Sequence, residues 1–301
     1  MEKRGFKEKK ILIIVNPKAG IRNNLKFARA LRKKLTPFFE LIEIEMTTQK
    51  GDGYRLACQG KKEFDLIVAC GGDGTVNEVG SALIGENTTL GIIPTGSGNG
   101  LARGLKIPRH SLDKAVQVLF QGRDVNIDVG KINEHYFFNV AGVGLDAQIA
   151  KDFNSKYNIR GISPYIFYAI KNYLIHPPVK CTLVMGKNQL DCEVLILAFA
   201  NFREYGGRAI IAPYAQPDDG QLDVCVLRKP SFLVALYHLS LLFNGGIDKL
   251  PYYHSFKTHK LKVISDTRIL FHYDGEKGDE VTEINISVLP LAFKVRIPTR
   301  S

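Results

Sequence analysis

Residues 65–78 read DLIVACGGDGTVNE: Asp65 to Cys70, followed by Gly71, Gly72, Asp73, Gly74, Thr75, Val76, Asn77 and Glu78. The run from Leu66 to Cys70 is apolar throughout. Such a run without alternation predicts a strand covered on both faces, as in a parallel sheet. The glycines after it stand where a strand hands over to a helix. There, successive backbone N–H groups point into one concavity, which together with the positive end of the helix binds phosphate. Gly72 is expected to take a positive φ, which a β-branched residue resists. Asp73 is the odd member, because a carboxylate beside phosphates repels them unless a cation intervenes. The octet therefore predicts Mg²⁺ between Asp73 and a polyphosphate.

The surrounding sequence extends this pattern. Upstream, Ile11 to Val15 (ILIIV) is a second buried strand, closed by a loop of Asn16, Pro17, Lys18, Ala19 and Gly20. Residues 21–35 place Ile21, Leu25, Ala28, Leu31 and Leu35 near helical spacing, with Pro37 beyond. Leu41 to Met46 alternates like a strand, and residues 53–61 and 75–84 read as helices. Leu90 to Ile93 is a fourth strand, leading into Pro94, Thr95, Gly96, Ser97, Gly98, Asn99 and Gly100. Strands alternating with helices imply βαβ crossovers and a parallel sheet. Three loops at the carboxyl ends of its strands make one nucleotide site.

The pattern changes near residue 125. Strand-like runs follow at 126–129, 136–140, 181–185, 194–200, 222–226, 261–264, 269–273, 284–288 and 293–297, several divided by turn signals such as Asp218-Asp219-Gly220. The fold expected is α/β: an N-terminal parallel-sheet nucleotide-binding domain over 1–127 and a C-terminal β-sandwich-like domain over 128–292. Two helical stretches interrupt the second half, at 161–175 and 231–244. They read as core helices on the sheet, with a lipid groove or an interfacial position as the alternative.

The 301 residues suit about two domains at ~100–200 residues each. Hydrophobic residues make up 45% and charged residues 24%, an ordinary globular composition. No apolar run reaches the ~18–20 residues that span a bilayer, and Ile11–Val15 is too short for a signal peptide. A cytoplasmic protein is expected. The five cysteines, Cys58, Cys70, Cys181, Cys192 and Cys225, form no CxxC pair and read as small packing residues. Net charge is +11, and residues 1–60 hold fourteen Lys or Arg against six Asp or Glu. That excess attracts polyanions or an anionic membrane. No nucleic-acid motif accompanies it, so no nucleic-acid partner is expected. There is no GxxxxGK[ST], GxSxG or HExxH. Gly142 to Ala147 does match GxGxxA, but it lies in the β-rich half without a downstream acidic partner.

GGDGTVNE, with NPKAG before it and GIIPTGSGN after, resembles the diacylglycerol kinase catalytic-domain family, which includes bacterial lipid kinases and sphingosine kinases. The likeness continues through Asn139–Ala147, Asn201, Gly206-Gly207, Ala212-Pro213, Asp218-Asp219-Gly220 and Leu222-Asp223, and ends at Asp274-Gly275-Glu276. It implies an ATP- and Mg²⁺-dependent lipid kinase with an α/β domain followed by a β-sandwich, the last strand (about 293–301) returning to the first domain. Asn16 to Gly20, Thr47, Gly71 to Glu78 and Thr95 to Ser97 then fall at the ATP-contacting segments. Glu276 falls at the proton acceptor, with Asp274 beside it. A structural Mg²⁺ near the Asp-Asp-Gly turn would map to Gln216, Asp219 and Gln221, the first and last through backbone carbonyls.

The implied acceptor is diacylglycerol, taken from a membrane surface by peripheral contact; a homodimer stands open beside a monomer. After the glycine loop the chain reads Gly98-Asn99-Gly100-Leu101-Ala102, closer to sphingoid-base kinases, which keeps a sphingoid base as the alternative acceptor. An NAD kinase-like enzyme and a non-catalytic lipid or nucleotide sensor are the more distant alternatives. Without the resemblance, Asp274-Gly275-Glu276 reads as a plain hairpin turn.

Overall fold

The computed structural model describes residues 10–20, 24–154, 162–205 and 209–299. The chain divides into two compact units, Met1–Ile127 with Leu291–Ser301, and Asp128–Pro290.

In the first unit, β1 (Lys10–Val15), α1 (Asn24–Leu35), β2 (Leu41–Met46), α2 (Asp52–Gly60), β3 (Leu66–Gly71), α3 (Asp73–Ser81) and β4 (Thr89–Pro94) follow in turn, then α4 (Gly100–Gly104) and α5 (Leu112–Gln121). β1 pairs in parallel with both β2 and β3, and β3 pairs in parallel with β4. β1, β3 and β4 are buried almost throughout, which is why they read as unbroken apolar runs. Ile11, Ile13, Leu66 and Val68 pack with Leu31, Leu35, Val116 and Leu119 of the helices. The chain's last strand ends in this unit, with Val295 beside Leu90 in parallel. It is fastened there by Arg296, whose guanidinium bonds both oxygens of Asp124 (2.6 and 2.9 Å) and the carbonyl of Leu119 (2.7 Å). Burial alone raises the Asp124 carboxyl, but the Arg296 guanidinium outweighs it and leaves the group below the usual range.

In the second unit, β5 (Arg123–Ile132) enters and pairs with β6 (His135–Phe137). β7 (Val140–Gly144), α6 (Leu145–Asn154), α7 (Ile162–Ile175), β8 (Val179–Met185), β9 (Asn188–Val194), β10 (Ile196–Ala200) and β11 (Leu222–Leu227) follow. Next come α8 (Phe232–His238), α9 (Leu241–Asn244), a short 3₁₀ turn, β12 (Tyr253–Thr258), β13 (Lys260–Tyr273) and β14 (Glu276–Ile297). The strands run β12-β11-β10-β7-β13-β14, all antiparallel, with the β8–β9 hairpin attached to β13. Phe137, Phe199, Phe271, Leu183 and Ile284 fill the β-sandwich-like core.

Several boundaries differ from the sequence reading. The runs at 261–264 and 269–273 are one strand, β13, whose exposed centre carries register shifts against β14. The runs at 284–288 and 293–297 are likewise one strand of 22 residues. The run at 136–140 divides between β6 and β7, and 194–200 between β9 and β10. Helices α4, α5 and α6 had no counterpart in the reading. The stretch 231–244 is not a core helix: it breaks at Leu239–Ser240, and neither α8 nor α9 has a fully buried residue. Ile21, Gly206 and Gly207 lie outside the described residues, as do the side chains of residues 162–167 in α7. Cys181 and Cys192 face each other across β8 and β9, sulfur to sulfur 3.5 Å, as free thiols.

Candidate active site

In the first unit the three loops are fastened to one another. After β1, Asn16 donates through Nδ2 to Thr75 Oγ1 on α3 (3.0 Å) and accepts the Lys18 amide at its Oδ1 (3.0 Å). Its own amide bonds the Cys70 carbonyl at the end of β3, and the Ala19 amide turns back onto the Asn16 carbonyl. Pro17 lies between them. After β4, the Thr95 amide donates to the Gly71 carbonyl (2.9 Å). Gly20, at φ +78°, packs against the Thr95 carbonyl, and a Cβ there would stand 2.6 Å from that oxygen.

Gly72 departs from expectation. Its φ is −95°, an ordinary extended value, and among the glycines of these three loops only Gly20 is in the positive region. The requirement for glycine is spatial. A Cβ on Gly96 would lie 2.5 Å from the Gly72 Cα, backbone against backbone, and one on Gly98 would lie 2.6 Å from Asp73 Oδ2. Side chains larger than hydrogen would force these two loops apart.

Asp73 opens α3 and accepts the Gly100 amide at 2.6 Å, tying the β3 loop to the start of α4. Burial pushes its carboxyl up, opposed by the amides of Gly100, Asn99 and Leu101 and by Arg103. A carboxylate so desolvated gains from a cation at its free side. No side chain caps α3 at Gly72. Its first amides, including those of Gly74 and Thr75, therefore form the uncapped end that favours an anion. The Thr95 hydroxyl is buried and bonds no described group. Val76 packs beneath, and exposed Ser97 forms the tip of the second loop.

Glu78 does not face a ligand in this arrangement. Its two oxygens accept the amides of Gly51 (2.8 Å) and Gly53 (3.0 Å), fixing the start of α2. Thr47 bonds the Val15 carbonyl through its amide. Neighbouring Thr48 donates amide and hydroxyl to Asp52, whose carboxyl these bonds and Arg55 hold well below the usual range. Asn77 lies on α3 beside Glu78. A cleft of about 530 Å³ adjoins these loops, lined by Gly20, Thr95, Gly96 and the cations Lys26 and Arg109 with His110. The sequence reading missed Lys26, Arg109 and His110; the basic excess over residues 1–60 was a signal only for the first.

In the second unit, Asp274 and Gly275, at φ +48° and +84°, form the two-residue turn between β13 and β14, with Tyr273 opposite Glu276. This is the turn that matches the twist of antiparallel strands. Asp274 turns inward: its carboxylate accepts the amides of Phe138 (2.9 Å), Asn139 (2.8 Å) and Val140 (3.2 Å). Glu276, half-buried, begins β14. Behind them, Asp146 accepts Tyr205 Oη at 2.7 Å and pairs with His272 Nε2 at 3.0 Å, both partners buried or half-buried. The turn is therefore tied to the segment that leads into β7, and β13 before it to α6.

The residues matched to a structural Mg²⁺ do not suit one. Asp219 accepts the Gln221 amide (3.0 Å) and is paired with the Lys257 ammonium, which also lies 3.4 Å from Asp223. Gln216 is exposed, and the Gly220 amide is taken by Asp128 at 2.6 Å. The single carboxylate of the set is already neutralised by an ammonium, which leaves the two backbone carbonyls without an anionic donor beside them for a hard dication. Among the described residues no cluster of three or more His, Cys, Asp or Glu could hold a metal.

A parallel sheet whose loops gather at an uncapped helix end, followed by a β-sandwich carrying an acidic hairpin turn, is the arrangement of a nucleotide-dependent kinase of two domains. The family models agree: residues 10–132 match the diacylglycerol kinase catalytic domain and residues 139–297 the YegS C-terminal NAD kinase beta sandwich-like domain. The chain thus carries a diacylglycerol kinase catalytic domain and belongs to the family of the YegS C-terminal domain, whose match spans more than half of it; it is a lipid kinase that uses ATP. A diacylglycerol kinase of Bacillus subtilis is 29% identical over 276 residues, 90% of either chain. A Yersinia enterocolitica protein named as a probable lipid kinase, YegS-like, is 29% identical over 85% of this chain and 87% of its own. A crystal structure of a diacylglycerol kinase from Bacillus anthracis has the same fold, with a TM-score of 0.73 at 22% identity over 97% of this chain and 98% of that one.

Proposed function

We propose that this enzyme transfers the γ-phosphate of ATP to the free hydroxyl of diacylglycerol, giving phosphatidic acid and ADP. The first unit serves as the ATP-binding domain and the second as the acceptor domain. The observation that carries the nucleotide half is the mutual fastening of the loops after β1, β3 and β4 around the uncapped end of α3. The acceptor follows from the relatives' names and from the extent of the match.

Phosphoryl transfer asks chiefly for positioning and charge neutralisation. The backbone amides at Gly72–Thr75 and Ser97 hold the phosphates, and the Thr95 hydroxyl supplies a further donor. Asp73 would be the carboxylate to hold a Mg²⁺ accompanying ATP, an ion that would supply neutralisation of the charge on the phosphate oxygens. Glu276 accepts the proton of the attacking hydroxyl. Asp274 is a positioning residue: by holding the amides of residues 138–140 it fixes the turn from which Glu276 projects. The enzyme works in the cytoplasm and meets the bilayer peripherally. No helix among the described residues is long and apolar enough to cross a membrane. The test is transfer from labelled ATP to a panel of diacylglycerol, sphingoid base and NAD. Label appearing in phosphatidic acid supports the reading, and exclusive labelling of another acceptor refutes it.

A further inference from the structure

The second unit carries an apolar surface that the described residues leave bare. Leu233 is 76% exposed, Tyr237 82% and Leu174 62%; Leu236, Ile175 and Phe243 are exposed as well. They come from α8, α9 and the end of α7. These segments are locked into one surface. Tyr173 donates its hydroxyl to the Pro230 carbonyl (2.5 Å), its ring lies 5.8 Å from that of Phe232, and the Lys229 ammonium donates to the His176 carbonyl (2.9 Å). A contiguous apolar patch on a protein surface marks a place of docking.

Charge selects the partner. Residues 162–176 and 228–246 contain no Asp or Glu, in a chain that has 30 of them, yet they hold Lys171, Arg228 and Lys229. Arg228 is exposed, and Lys171, with Asp152 at 3.9 Å, is still 46% exposed. Arg203 borders the end of α9 at Gly245. Apolar side chains with an aromatic among them, rimmed by cations and on segments that contribute no carboxylate of their own, match the boundary of an anionic bilayer, where acidic residues are repelled and Lys and Arg attracted.

We infer that this face is the membrane-docking surface: the exposed residues of α8 and the end of α7 enter the headgroup–acyl boundary of an anionic bilayer, while Lys171, Arg228 and Lys229 engage its headgroups. The inference rests on the lipid-kinase reading, since a bilayer is where the acceptor resides.

The chain has no tryptophan, so one substitution provides a unique fluorescent reporter. The full-length Tyr237→Trp variant is mixed with phosphatidylcholine vesicles with and without phosphatidylglycerol. Leu190→Trp, on β9 and also exposed, is the control. Emission of Tyr237→Trp should move to the blue and be quenched by brominated acyl chains, more strongly with phosphatidylglycerol and less at high salt; Leu190→Trp should not respond. Vesicle binding without a Tyr237→Trp response would overturn the assignment, as would a response to protein concentration alone, which marks self-association. Turnover of a short-chain diacylglycerol below its micelle concentration is followed in parallel. Turnover without a blue shift overturns the docking face alone, and a blue shift without turnover overturns the kinase reading alone.

Discussion

Asp73 Oδ1 accepts the backbone amide of Gly100 at 2.6 Å, so the residue best suited to the cation of a bound nucleotide also ties the β3 loop to the helix after β4. An amide oxygen can keep that bond. Asp73→Asn should therefore hold its melting temperature near wild type while kcat falls by ~10²–10³, the usual cost of removing one electrostatic stabiliser. Parallel thermal melts and turnover measurements check this; unchanged turnover would remove Asp73 from the cation.

The same burial raises the Asp73 carboxyl above the usual range. Only its ionised form attracts Mg²⁺, so activity should fall on the acid side at a pH above that of an ordinary aspartate. Raising Mg²⁺ stabilises the ionised form and should move the acid limb to lower pH. A pH–rate profile at two Mg²⁺ concentrations reads the shift, and a limb indifferent to Mg²⁺ would count against the role.

Gly72 and Gly96 should behave differently. A Cβ at Gly72 reaches the Gly96 Cα at 3.4 Å, an ordinary contact, whereas one at Gly96 meets Gly72 at 2.5 Å. Gly72→Ala is expected to melt like wild type but to raise the KM for ATP, because the added methyl stands where phosphate approaches. Gly96→Ala is expected to lower the melting temperature. Equal melting temperatures for both variants would mean the loops separate freely.

Asp274 should reveal itself in stability. Asp274→Ala removes an acceptor from the amides of residues 138–140 and puts alanine at φ +48°. A loss of about 2–3 kcal/mol is expected from hydrogen bonds to a charged group. Asp274→Asn, which suits this turn, should lose about 1 kcal/mol. Denaturant unfolding distinguishes them, and equal losses would deny the carboxylate this role.

Much of this architecture was legible because burial writes itself into sequence. Strands β1 and β3 are covered on both faces and appear as ILIIV and LIVAC; the loops after them carry glycine because two backbones meet there. The rest was hidden for physical reasons. The centre of β13, Ser265 to Arg268, is polar, and Asp266 to Arg268 are exposed, so one strand read as two. Helices α8 and α9 are apolar around most of their circumference, which in a sequence looks like core; nothing in the residues themselves says that the face is left bare. Asp274-Gly275-Glu276 reads as a plain hairpin turn, and it is one, but nothing local tells that Asp274 meets three amides contributed by residues more than 130 positions upstream. Lys257, which neutralises Asp219, lies 38 positions away.

The central claim is that Glu276 serves as the base in transfer from ATP to diacylglycerol. The most direct measurement is single-turnover transfer of labelled γ-phosphate to dispersed diacylglycerol by wild type and Glu276→Gln, with ATP affinity determined alongside. The account predicts labelled phosphatidic acid from the wild type, and a kcat lowered by ~10²–10⁴ in the variant at near-unchanged ATP affinity. Full-rate transfer by Glu276→Gln, or no label in phosphatidic acid from the wild type, would contradict it.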